Sequence, residues 1–175
     1  GRLLHVYLPS LGSGTHIVGV YGHTNAARDA HQRERNEPLL QAALDLVAEL
    51  GGAPVMLCGD FNTSTDGSAT LRAAIHNHMM HDVAALGAAS AGMEAVPATC
   101  FVLPTSPGTR IDFFLGNSTC AAALRSCHTM TDAGFLTHRP VSCRLNLRCT
   151  SQSGVRYRKP KPWPGGWKLA DAEQE

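Results

Sequence analysis

The chain has 175 residues, 43% of them hydrophobic and 17% charged, enough to bury one core of ordinary size, so one domain is the expectation. A net charge of +1 and a pI near 7.8 exclude a global electrostatic case for binding a polyanion, which leaves only local patches for that role. No apolar run approaches a membrane span, and Gly1-Arg2-Leu3-Leu4 carries neither an initiator Met nor a signal-peptide pattern, so a soluble chain that starts inside its fold is expected.

Leu3 to Leu8 and His16 to Tyr21 read as two strands joined by the loop Pro9 to Gly14, a hairpin. The second delivers Tyr21, His23 and Asn25 to a loop. A charged stretch from Arg28 to Glu37 precedes Leu39, Leu40, Ala43, Leu44, Val47 and Leu50 at helical spacing, closed by Gly51-Gly52. Because Pro38 is tolerated only near a helix start, Asn36 is the expected N-cap, with any earlier helix kinked against the proline.

Val55 to Cys58 run without alternation, as a strand buried on both faces does, and Gly59 ends it with Asp60 and Asn62 on one side of the exit. A carboxylate there costs several kcal/mol to desolvate unless a metal, a donor or a substrate compensates. A solvated turn containing Asp and Asn is the plain alternative. Gly67 to Met80 has a weaker helical pattern. His76, His78 and His81 crowd there, but only His78 and His81 have helical neighbour spacing, so they read as surface residues rather than metal ligands.

Ala84 to Pro97 reads as a small-residue loop. Thr99 to Leu103 and Thr109 to Leu115 read as strands, with Asp112 inside the second apolar run, where an acid must be paired or functional. Ala121 to Met130 is a strand or a connection. Val141, Cys143, Leu145 and Leu147 alternate with polar residues in a last strand entered through His138. The six cysteines include no Cys-x-x-Cys pair and read as reduced intracellular thiols, nuclear or cytoplasmic. Two segments are expected: 1–149 as the folded part, and 150–175 as a linker or docking tail, basic and rich in Pro and Trp between Arg156 and Lys168.

Gly59-Asp60-Phe61-Asn62, then Arg110-Ile111-Asp112-Phe113-Phe114-Leu115, then Thr137-His138-Arg139-Pro140-Val141, preceded by Tyr21-Gly22-His23-Thr24-Asn25, resemble the endonuclease/exonuclease/phosphatase family in order and spacing. The resemblance covers Gly1 to Leu147. It implies a four-layered α/β sandwich (DNase I-like), N-terminally incomplete here, and Mg²⁺- or Mn²⁺-dependent hydrolysis of phosphate esters. By that likeness Asp60 orients or deprotonates water, Asn62 holds Asp60 and the phosphate, His138 donates to a phosphoryl oxygen and Asp112 fixes the imidazole. Asn25, His23 and Tyr21 would lie against the phosphate. Read without the family, Asp112 could equally pair Arg110, and His138 could be a packing residue.

Two departures from the family pattern bear on the metal. The early strand with its Glu ligand is not in this chain, and the residue before the terminal His is Thr137 where the family has Asp. Asp60 and Thr137 are then the remaining metal ligands, Mg²⁺ should bind weakly, and part of the sandwich should be uncovered. The tail is similar to the connector after the endonuclease domain of non-LTR retrotransposon polyproteins. That likeness implies a DNA endonuclease of retroelement type, with DNA and a downstream reverse transcriptase domain as partners and no membrane. A relic that binds nucleic acid or a partner without catalysis, and a phosphoinositide or sphingomyelin phosphatase, are the alternatives.

Overall fold

In the computed structural model, residues 1–9, 14–102, 107–132, 134–135 and 137–146 are described. The tip of the first loop, Leu136, Cys149, and the whole expected tail with its basic stretch lie outside them.

The first two strands form the expected hairpin. β1 (Leu3–Leu8) and β2 (Thr15–Tyr21) pair antiparallel, with Leu3 opposite Val20 and Leu8 opposite Thr15. Helix α1 (Ala30–Glu49) then crosses over to β3 (Val55–Asp60), which pairs parallel to β2 because a helical crossover returns the chain in the same direction. β5 (Asp112–Gly116) closes antiparallel on the other side of β3, and the two-residue β4 (His81–Asp82) forms the far edge, giving the order β1-β2-β3-β5-β4. β6 (Leu124–Thr129) and β7 (Val141–Leu145) make a separate antiparallel pair.

β3 is central, and Val55, Met56 and Leu57 are all buried, as its uninterrupted apolar run requires. Val55 and Leu57 join Val18, Val20, Phe113 and Leu115 under Leu40, Ala43, Leu44 and Val47 of α1 and Leu71 of α2 (Ala69–His76). Met56 faces the opposite way, into a second core with Val83, Cys120 and Cys127, against which β6 and β7 pack. One mixed sheet thus separates a helical layer from a smaller sheet. β1, at the sheet's edge, leaves Leu4, Val6, Tyr7 and Leu8 exposed.

Three expectations change. Helix α1 starts at Ala30, capped by Asp29, whose carboxylate accepts from the His31 and Gln32 N–H groups at 2.8 and 3.2 Å. Asn36 is therefore not the cap but a buried interior residue, and Pro38 sits mid-helix. Tertiary bonds from Asn36 to both neighbouring loops offset the hydrogen bond that Pro38 cannot make. Second, the expected loop from Ala84 begins as helix α3 (Val83–Ser90), because Asp82 caps it and alanine favours helix even without large apolar residues to show a period. Third, Thr99 to Phe101 form an isolated bridge at Cys100, to Thr109 and His138, rather than a full strand. The ambiguous stretch from Ala121 resolves into the end of α4 (Ser118–Ala122) followed by β6.

Candidate active site

The strand register builds one row across the sheet edge: Tyr21 lies opposite Asp60, and Asp60 opposite Asp112. Register partners project to the same face, so two carboxylates stand side by side. Gly59 makes this turn of the chain feasible. Its φ is 138°, and a Cβ there would meet the Val20 carbonyl oxygen at 2.1 Å.

Beyond the strand, Phe61 is fully buried edge-on to Phe113, and its N–H donates to the Ile111 carbonyl at 2.8 Å. That anchor fixes the polar residues on either side. Asp60 Oδ1 accepts the backbone N–H of Asn62 at 2.9 Å, while Asn62, with φ 51°, donates Nδ2 to the Gly22 carbonyl at 3.3 Å. The expected hold on Asp60 through the Asn62 amide is therefore made chiefly by the Asn62 backbone. Asn36 completes the support from below, donating Nδ2 to the Phe61 carbonyl at 3.0 Å and accepting the His23 N–H at 2.9 Å.

Asp112 and His138 meet. The imidazole Nδ1 lies 3.0 Å from Oδ2 and 3.3 Å from Oδ1 of Asp112, so Nδ1 carries the proton, while Nε2 lies 3.6 Å from Cys100 Sγ. The Arg110 alternative for Asp112 is not realised. Arg110 instead makes a two-pronged pair with Asp82 at 2.5 and 2.6 Å and stacks over Phe113. Thr99, fully buried, sets the position of Asp112: its hydroxyl accepts the N–H groups of Ile111 and Asp112 at 3.1 and 3.0 Å. Its carbonyl takes the Arg139 N–H at 2.7 Å, which ties the His138 segment to the same spot.

Burial raises the Asp60 pKa, the Asn62 N–H opposes that, and the charge of Asp112 raises it further. A carboxyl shifted this way beside a second acid is suited to proton transfer or to a cation. Asp60, Asp112 and His138 bring ligand atoms within 4.8 Å of one another, the only such cluster of His, Cys, Asp or Glu among the described residues. They edge a cleft of about 420 Å³ that Phe114, Phe135 and Arg139 also line.

The remaining candidates are more peripheral. Tyr21 is exposed beside Asp60, with the Arg2 guanidinium 5.3 Å from its ring centre. His23 follows two residues later, its imidazole pKa lowered by burial and then by Arg2 and Arg35. Asn25 adopts φ 66° in the turn that leads to α1, where its carbonyl accepts from Arg28 and Asp29. Thr137 uses its carbonyl to accept the Phe101 N–H, and its exposed side chain makes no hydrogen bond among the described residues. Sequence reasoning missed Thr99, Asn36 and Cys100. Only Thr99 carried a hint, as a buried-type position preceding the Asp112 strand.

No protein-family model and no curated protein matches the chain. Solved structures do. The 3′-5′ exonuclease NExo of Neisseria meningitidis superposes with a TM-score of 0.63 at 19% identity, over 83% of this chain and 65% of that one. The APE2 catalytic domain of Xenopus laevis gives 0.66 at 17%, over 83% and 55%. An AP endonuclease from Archaeoglobus fulgidus gives 0.62 at 16%, over 83% and 65%. This chain has the DNase I-like fold of the endonuclease/exonuclease/phosphatase proteins, as the resemblance implied. It spans 55% to 65% of the length of those structures.

Proposed function

We propose that this chain carries a site for hydrolysing phosphodiester bonds, with DNA as substrate. The observation that carries the reading is the convergence of Asp60, Asp112 and His138, 78 positions apart in sequence at the extremes, on one rim. Asp60, partly desolvated and raised in pKa, orients and deprotonates the attacking water. His138, with Nδ1 bonded to Asp112, presents Nε2 to a phosphoryl oxygen and donates there once protonated. Asp112 supplies the countercharge. Asn62 keeps Asp60 in place, and Tyr21, His23 and Asn25 line the approach for the phosphate.

A divalent cation fits beside Asp60, whose carboxylate is crowded by that of Asp112 and gains from a positive neighbour. Asp60 would hold it together with water and the substrate phosphate, and the ion would supply neutralisation of the phosphoryl charge. Thr137 adds at most a neutral oxygen. The structures it resembles include a 3′ phosphatase from Neisseria bound to a product DNA hairpin, which supports nucleic acid as the substrate class. Retroelement origin and a downstream reverse transcriptase rest on the composition of residues 150–175.

The test is nicking of supercoiled plasmid in Mg²⁺. Asp60→Asn and His138→Ala should each lower the rate by about 10²- to 10⁴-fold. One observation favours a second reading, a relic that binds without cleaving: no carboxylate stands where Thr137 does. Absence of nicking even in a Thr137→Asp variant at saturating Mg²⁺ would select the relic.

A further inference from the structure

β6 and β7 bring two cysteines face to face. Cys127 is the register partner of Cys143, in an unbroken run with His128 opposite Ser142 and Thr129 opposite Val141, and the irregularity of the pair lies beyond, between Leu124 and Ser126. One step past that run, the Met130 N–H donates to the Pro140 carbonyl at 2.8 Å, which makes 130 and 140 a hydrogen-bonded rung. Antiparallel rungs alternate between hydrogen-bonded and non-hydrogen-bonded pairs, so Cys127 and Cys143 fall on a non-hydrogen-bonded rung. Opposed Cα atoms are there only about 4.5 Å apart and the side chains are closest. A disulfide spans Cα separations of roughly 4.4–6.8 Å. We propose that Cys127 and Cys143 are a modification site, a thiol pair that a peroxide oxidises reversibly to a disulfide bridging β6 and β7.

No other cysteine among the described residues is so placed. Cys58 lies opposite Gly19 and Phe114, and Cys100 bridges to Thr109 and His138. Cys120 shares the second core with Cys127, but it is fully buried in α4, and burial pushes its thiol up to about 11, which keeps it protonated.

The two thiols also differ in the way an oxidation needs. Cys127 is buried and gives its S–H to the Cys143 sulfur, and this bond first, burial second, holds Cys127 protonated. The same bond stabilises a Cys143 thiolate and lowers its pKa against the opposing effect of burial. Cys143 is the half-buried member, so the more readily ionised sulfur is also the one a small oxidant reaches. Its thiolate attacks one oxygen of hydrogen peroxide, forming an S–O bond as the O–O bond breaks, and the departing hydroxide takes a proton to become water. The Cys127 sulfur then attacks the sulfenic sulfur of Cys143. The S–S bond forms, the S–O bond breaks, and the hydroxide leaves as a second water with the Cys127 proton. In all, the pair gives up two electrons and two protons, and the peroxide is reduced to two waters. The segment so closed, from His128 to Ser142, carries His138, so the bond fastens the base of the chain that places the imidazole. The site itself does not rest on the hydrolytic reading.

The test maps thiols in the full chain, which is reduced, freed of reductant, treated with hydrogen peroxide, then unfolded and alkylated. Trypsin cuts after Arg125 and Arg144 but not between Arg139 and Pro140, so both cysteines leave in one peptide, 126–144. The expected result is that this peptide loses two hydrogens, takes up no alkylating agent, and regains both thiols on reduction. Oxidation of the exposed Met130 in the same peptide adds an oxygen instead and is resolved by mass. The oxidised chain should melt at a higher temperature than the reduced one, because the bond constrains the unfolded chain. Cys120→Ala should keep the loss of two hydrogens, and Cys143→Ser should abolish it. Should Cys143→Ser fail to fold, the wild-type map decides alone. A peptide 126–144 that is still alkylated at both cysteines overturns the site, as does a Cys143 carried on to the sulfinic acid in place of bridging. So does a Cys127 or Cys143 found linked to the peptide 111–125, which carries Cys120.

Discussion

Asp60 and Asp112 are register partners across β3 and β5, yet only Asp112 has a basic partner in hydrogen-bond contact. Asp60 has one backbone N–H instead, from Asn62. The pair therefore splits into a carboxylate committed to orienting His138 and a second with capacity left for water or a cation. That asymmetry underlies the first expectation.

Asp60→Asn should raise the melting temperature at neutral pH while removing hydrolysis. Because the folded-state pKa of Asp60 is raised, its contribution to stability is fully present below the unfolded pKa and is lost as pH rises through the folded value. At neutral pH the ionised side chain is a cost, and the amide removes it. Calorimetry should show a higher melting temperature than the wild type at neutral pH and no difference below the unfolded carboxyl pKa. A lower melting temperature would contradict it.

Asp82 does two jobs, pairing Arg110 and capping α3 through the Ala84 and Ala85 N–H groups. Both partners are mostly buried, with side chains 18% and 12% exposed. Asp82→Ala should cost about 3 kcal/mol or more for the stranded guanidinium, and about 1 kcal/mol for the cap. Asp82→Asn keeps a capping oxygen and should recover part of the loss in urea denaturation. Equal midpoints for the two variants would deny the separate capping contribution.

His16 lies against His5 and Tyr7 on the β1–β2 face. Burial, then the neighbouring His5, depress its pKa, so the folded state favours the neutral imidazole. Stability from this pair is present above the unfolded pKa of about 6.5 and is lost as pH falls through the lower folded value. A melting-temperature series against pH should therefore decline on the acid side, and His16→Gln should flatten that limb. An unchanged slope in the variant would remove His16 as its origin.

Gly59→Ala should destabilise more than any exposed substitution in the hairpin. A methyl group at φ 138° meets the Val20 carbonyl at 2.1 Å, so either the β2–β3 ladder or the Asp60 turn must shift. The expected loss is about 1–3 kcal/mol from backbone strain before the clash is added. Denaturation of the variant at wild-type midpoint would refute the constraint.

The local sequence was enough to identify β3 and its exit, because an apolar run that meets Gly-Asp-Phe-Asn has few ways to satisfy both halves. It also marked Asp112 as an acid in need of a partner, whereas His138, read without the family, was a packing residue. Their mutual contact, however, depends on β5 and the chain before β7 being brought together by other elements, and no local pattern encodes that. The same holds for Arg110. Adjacent in sequence to the Asp112 strand, it turned to Asp82 because the short β4 edge presents a capping carboxylate at bidentate distance. Asn36 shows the limit from the other side: its local context, an amide two residues before a proline, reads as a helix cap. Two loop backbone groups that lie far from it in the chain needed a buried donor and acceptor, and the tertiary structure used Asn36 to supply both.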